Sequence, residues 1–223
     1  MQPYRAQENK PPEVASKQQD ESSAATPAKD DRFESFAELS HVYSRSEAFE
    51  ILAKRGNSGV LLIAPHGGSI EPGTDKLAAA IAGQEHSLYA FIGKLPAESA
   101  WDLHVTSSRF DEPQALELLS EARQVVSIHC CRGSEPCVYL VGLDEDLIEA
   151  ARVALNRAGF VADFHKSPNL QGVNPLNVCN RGRSAKGLQL EISQGLFEEL
   201  DGRPEVYRKL VTTLRELLKS SET

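Results

Sequence analysis

Two periods run through the pattern of apolar and polar positions. Val60 to Ala64 is an unbroken apolar run stopped by Pro65, as in a strand buried on both faces. Leu88 to Ile92, Val125 to His129, Val138 to Val141, Val161 to Phe164 and Leu188 to Ile192 read as further short strands. Trp101 to Thr106 alternates and predicts another. Between them the period lengthens. Ser46 to Lys54 predicts a helix, capped by Ser46, with Phe49, Leu52 and Ala53 on one face and Gly56–Asn57 as its stop. Thr74 to Ala82 predicts a helix capped by Thr74, with Asp75 in its first turn and Gly83 past its end. A third opens at Asp111 with Pro113 in its first turn. Asp144 to Ala158 is amphipathic and ends at Gly159, and Pro204 to Leu218 closes the chain. A short amphipathic stretch also begins at Phe33.

Strands alternating with helices predict an α/β fold: a three-layer sandwich whose mixed, mostly parallel sheet is flanked by helices. Residues 1–31 are polar and show no periodic apolar face, so they are expected to be a disordered tail. That leaves 32–223 as a single domain, long enough to bury a full core.

Charge and cysteine content narrow the classes. A net charge of -8 argues against a nucleic-acid binder but not against an anionic substrate, which a local arginine cluster can serve. The four cysteines contain no CxxC pair, which disfavours a Cys-only zinc site. No run is long enough to cross a membrane and no apolar leader is visible, so the expectation is a cytoplasmic monomer, with release by lysis left open. Reduced thiols are expected, although Cys131 and Cys137 would permit a bridge.

Candidate chemistry collects at strand ends, where ligands sit in such sheets. His66 and Glu71 share the glycine-rich loop after the first strand, and His129 ends another strand. Two imidazoles and a carboxylate are the donors of a catalytic zinc site with one open position, although a glycine-rich turn with a buried His reads equally well locally. Glu191 stands in an apolar strand, where a carboxylate is costly unless paired or used. It is the candidate general base; the alternative puts it on a solvent face, with Gln189 assigned to the opposite one. Asn180, Arg181 and Arg183 lie on the loop before that strand and are candidates for gripping a substrate carboxylate. His104, Ser107 and Arg109 are candidates for the same rim, whereas His86 and His165 read as surface residues. Cys130 competes as a zinc ligand, but neighbouring residues on a strand face opposite ways, so His129 and Cys130 would rarely share a metal.

Four blocks in order, HGGSIEPGT at 66–74, SIHCC at 127–131, NVCNR at 177–181 and LQLEIS at 188–193, resemble the poly-γ-glutamate hydrolase family. The resemblance spans roughly Phe33 to Phe197. It implies a zinc carboxypeptidase-like fold, a Zn2+ ion held by His66, Glu71 and His129, and Glu191 as the catalytic carboxylate. The implied reaction is hydrolysis of γ-glutamyl amide bonds in an anionic polyglutamate. Two positions depart from the family pattern: Cys130 stands where a Gly is common, and Phe197 where an Arg often follows the last block. A zinc peptidase or amidase acting on another amide, such as a cell-wall peptide, would use the same site. A non-catalytic module binding an anion at the loop and helix N-terminus is the third reading.

Overall fold

The computed structural model describes residues 30–165 and 171–220. The expected tail lies outside the described residues over 1–29, and the compact unit begins at Asp31, whose side chain is already buried. In chain order the elements are α1 (Phe36–Val42), β1 (Phe49–Lys54), β2 (Val60–Gly68), α2 (Thr74–Ala82), β3 (Ser87–Gly93), α3 (Pro113–Glu121) and β4 (Gln124–Cys131). Then follow β5 (Val138–Gly142), α4 (Glu145–Arg157), β6 (Ala162–Phe164), β7 (Leu188–Ser193), α5 (Gln194–Gly202) and α6 (Pro204–Ser220).

The strands form a seven-stranded sheet in the order β1-β3-β2-β4-β7-β5-β6. β3, β2, β4 and β7 run parallel to their neighbours, whereas β1 on β3 and β5 on β7 are antiparallel. Alternation sorts each strand's side chains onto two faces. Leu62, Val126, Ile128, Leu188 and Leu190 pack under α2, α4, α5 and α6. Leu61, Ile63, Tyr89 and Val125 pack under α1 and α3. Because both faces are covered, the central strands read as continuous apolar runs. Among the described residues no helix is long and apolar enough to cross a membrane.

Two expectations about elements are overturned, and one element is new. The predicted helix from Ser46 to Lys54 is the strand β1, entered through Ser46 at φ 78. The open backbone edge of β3 outweighs local helix preference there, and the Phe49 ring anchors the strand 4.8 Å from Phe91 and 5.7 Å from Phe36. The predicted strand at Trp101 is a 3₁₀ turn, Ala100–Leu103. Residues three apart eclipse in that geometry, and Trp101 stacks flat on His104 at 4.0 Å. The helix α5 is an addition, started by Ser193, whose side chain accepts from the Leu196 amide.

The Cys131–Cys137 bridge does not form, and all four cysteines are free thiols. Cys131 is the β4 partner of Ser193, while Cys137 bonds the same serine from the β5 side. Two strand spacings therefore separate them, roughly 10 Å, beyond a disulfide's reach.

Candidate active site

The local geometry of the first block follows from its glycines. β2 slips register against β3 between Ala64 and Gly67, and the chain turns at Gly68 with φ +66. A Cβ on Gly68 would lie 2.2 Å from the Gly93 carbonyl oxygen, so only glycine fits so close to β3. The Glu71 amide donates to the His66 carbonyl at 2.8 Å, closing a loop that turns both side chains to one point. α2 follows at once, with Gly73 rather than Thr74 in the capping position. The Thr74 hydroxyl instead donates to the Glu71 carbonyl at 2.8 Å and holds the loop's far end.

Glu71 sits at the middle of the cluster. Its Oε1 lies 3.1 Å from His66 Nδ1, and its Oε2 lies 3.5 Å from His129 Nδ1. Oε2 also accepts the Cys130 amide at 2.9 Å. Burial works against the Glu71 charge, but the two imidazoles outweigh it and hold its carboxyl well below the usual carboxylate range. His66 Nε2 lies 2.9 Å from the Val105 carbonyl, which only accepts, so the ring proton is on Nε2. Burial, then the neighbouring His104, lowers the His66 pKa to about 4. Above that value the ring is neutral and, protonated on Nε2, turns its Nδ1 lone pair to a carboxylate oxygen 3.1 Å away, so that the Glu71 charge then rests on His129 and the Cys130 amide. Two acceptors aimed at each other in a buried site are a place for a cation.

Burial also opposes a charge on His129, but the Glu71 hydrogen bond and the charges of Glu71 and Glu191 outweigh it and raise its pKa. Its Nε2 lies 3.5 Å from Ser107 Oγ. Glu191 is the β4–β7 register partner of His129, and Tyr139 of β5 flanks it on the other side. Buried with 4% exposure, Glu191 has its pKa raised to about 7, by burial first and the Glu71 charge next, against the pull of His129. A carboxyl group poised there can exchange a proton near neutrality. Gln189, two residues earlier, shares its face as a period of two requires, contrary to the expected opposite placement, and donates to Glu191 Oε1 at 2.7 Å.

His104 enters the cluster more deeply than its spacing suggested. The ligand atoms of His66, Glu71 and His104 all lie within 4.8 Å of one another, and the His104 and His66 rings are 4.0 Å apart. Asp31 fixes His104, accepting from its Nδ1 at 2.5 Å and from the Thr106 amide at 2.7 Å. Asp31 also accepts from Arg109 at 2.8 Å, so Arg109 braces this segment rather than facing the site. His129 joins the group through Glu71 and lies outside the tightest triplet.

The expected substrate grip is redistributed. Asn180 is buried, and its amide is committed to the loop: Oδ1 accepts from Leu143 and Gly187, and Nδ2 donates to Gly172 and Asn174. It holds structure and has no group to spare for a ligand. Arg183 is exposed, and its amide bonds the Ala122 carbonyl, at the start of β4. His129 lies five residues beyond the first residue of β4, roughly 17 Å along the strand, so the Arg183 backbone stands at the opposite end of the strands. Arg181 is half-buried, and its Nη1 donates to the Phe110 carbonyl at 2.7 Å, on the segment that also carries Ser107. Burial lowers its pKa from the usual arginine value, with Asp111 opposing.

Cys130 follows His129 on β4 and is the register partner of Ile192, so its side chain is on the other face of the sheet from the His129 ring. Burial, then the charges of Glu71 and Glu191, pushes its thiol up to about 12. His86, expected at the surface, is buried with Nδ1 2.7 Å from Ser58 Oγ; His165 packs edge-on against Tyr139.

Comparison with known proteins gives a consistent answer. Residues 33–214 match the family model for poly-gamma-glutamate hydrolase. The SPbeta prophage-derived protein YoqZ of Bacillus subtilis is 37% identical over 165 residues, covering 73% of this chain and 59% of its own length. The match therefore spans less than two thirds of that relative. A solved bacteriophage poly-gamma-glutamate hydrolase superposes with a TM-score of 0.80 at 28% identity, covering 86% of this chain and 98% of that one. A zinc-free apo structure of YNDL does so with the same score and identity, covering 86% and 99%.

Proposed function

Because this chain belongs to the poly-gamma-glutamate hydrolase family, we propose that it hydrolyses γ-glutamyl amide bonds of poly-γ-glutamate in a zinc-dependent reaction. The observation that carries the reading is the donor set around Glu71, with one imidazole nitrogen on each carboxylate oxygen and Glu191 in register beside His129. The residues fit a divalent ion, since the His66 lone pair and an ionised carboxylate face each other with no proton between them. His66, Glu71 and His129 would hold it, with His104 within reach of the first two. Zinc, when bound at such a set, supplies Lewis acidity to a carbonyl oxygen and acidifies water.

The chain's own residues do the rest. Glu191 takes a proton from the attacking water and delivers it to the amide nitrogen as the C–N bond breaks, a task suited to a carboxyl group with a pKa near 7. The Val105 carbonyl fixes the His66 tautomer, as hydrogen-bonded outer groups do for ligating imidazoles. Arg181 pairs with a substrate carboxylate through the guanidinium edge that Phe110 does not use. Asn180 and Arg183 are left out of this role.

Poly-γ-glutamate incubated with the purified protein should shorten, as read by size-exclusion chromatography. A chelator should stop the reaction and zinc should restore it. Parallel incubations with α-linked polyglutamate and muropeptides set the specificity. Intact γ-polymer alongside cleaved muropeptide would reassign the substrate, and cleavage indifferent to chelation would remove the metal from the reading.

A further inference from the structure

Glu191 does not meet the site alone. Gln189 Nε2 donates to Glu191 Oε1 at 2.7 Å, and Gln189 Oε1 accepts from Asn177 Nδ2 at 2.9 Å. Asn177 Oδ1 in turn accepts from the Cys179 amide at 3.1 Å. All three side chains are buried, with exposures of 4% for Glu191 and Gln189 and 8% for Asn177. Amide oxygens and nitrogens exchange places easily, so the direction of such a chain is normally ambiguous. Here its far end removes the ambiguity. A backbone N–H can only donate, so the atom of Asn177 facing Cys179 is the oxygen. Its nitrogen then faces Gln189, which must turn its own oxygen there, and the Gln189 nitrogen is left to face Glu191.

The geometry points to Gln189 as a positioning residue for Glu191, with Asn177 as the group that sets its orientation. This rests on the hydrolase reading above. The relay presents a donor to Oε1, and that oxygen can answer only as an acceptor. The proton taken from water therefore goes to Oε2 and leaves from Oε2 to the amide nitrogen, while Oε1 stays hydrogen-bonded throughout. The same bond fixes the carboxylate plane, because Gln189 and Glu191 project from one face of β7 two residues apart. Asn177 opens the 3₁₀ turn Val178–Asn180 and satisfies its second amide, that of Cys179, so the turn and the base are set by one side chain.

Gln189→Met keeps the volume and removes the donor. It is expected to lower kcat roughly 10- to 100-fold with KM within about twofold of wild type, the size of effect a misplaced catalytic group produces. Its zinc content should match wild type, while its thermal midpoint should fall modestly because the buried Asn177 Nδ2 loses its acceptor. In a Glu191→Gln background the same change should cost nothing further, because the group it positions has gone; a merely structural role would multiply the losses. Independently of activity, a crystal structure of metal-free Gln189→Met should show the Glu191 carboxylate rotated or split between rotamers. Should Gln189→Met fail to fold, Asn177→Ala is read in the same two backgrounds, with a smaller drop expected. Wild-type kcat in the folded variant, full additivity with Glu191→Gln, or an unmoved carboxylate would overturn the relay. A wild-type protein that leaves the polymer intact would instead overturn the hydrolase reading.

Discussion

Replacing Glu191 with Gln should make the metal-free protein more stable while leaving it inactive, and the gain should depend on pH. Glu191 is buried at 4% exposure, and its pKa rises from 4.5 to about 7, chiefly through loss of water around the charged form. Between these values the folded protein holds a proton that the unfolded chain has released, so stability falls as pH rises through that window. At roughly 1.36 kcal/mol per pH unit, the full loss above pH 7 is about 3 kcal/mol, an order-of-magnitude figure. The introduced amide carries no charge, keeps the shape, and its oxygen accepts the same bond from Gln189. Urea unfolding of chelated wild type and Glu191→Gln, at pH 5 and at pH 8.5, reads the effect, because Glu71, His66 and His104 are common to the two proteins and His129 loses only the Glu191 charge, the smallest of the influences raising its pKa. The variant should exceed wild type by about 3 kcal/mol at the higher pH and by a small fraction of that at the lower. A difference independent of pH would mean that burial does not raise the Glu191 pKa. The argument for a base poised near neutrality would go with it.

Other outcomes follow from the same geometry. His129→Ala removes one of the two nitrogens facing Glu71, so zinc retained after dialysis should fall by roughly tenfold or more, measured by atomic absorption. Arg181→Ala should lower kcat/KM on poly-γ-glutamate by roughly 10- to 100-fold, the worth of a charge-assisted pair, while Arg183→Ala should leave it unchanged. Equal effects at the two positions would refute the placement of Arg183 at the far end of the strands. Gly68→Ala puts a Cβ 2.2 Å from a backbone oxygen at φ +66, and should cost more than about 2 kcal/mol in denaturant unfolding, with no zinc bound by the surviving fold.

The legible parts of the chain were those with local causes. The β2–loop–α2 block could be read because a buried run, a proline, paired glycines and an acidic first turn are successive residues of one connection. Pairing across strands was not legible. That His129 and Glu191 stand side by side depends on β7 inserting between β4 and β5, and the strand order is not written in any one segment. The place of His104 is hidden from the sequence for the same reason: it comes from stacking on Trp101 and from Asp31, which reads as the end of a polar tail. Arg181 and Arg183 look equivalent in sequence, but the loop turns back toward the end of α3, and two residues suffice to carry the backbone from the site's segment to the other end of the strands. β1 went astray because its alternation is weak, with Leu52 exposed, and only the partner strand decides its state.

The spread of the donors along the chain has a kinetic consequence. β2, β4 and β7 are adjacent in space, yet each is separated from the next by about sixty residues. Parallel strands that far apart find one another slowly, because the intervening loops must close before any contact forms. The full set of ligands cannot exist in a half-folded chain, so until β2 and β4 pair, a divalent cation present during refolding meets only the His66–Glu71 pair of one loop. Such an ion would leave the rate of refolding untouched and slow only the escape from the finished molecule.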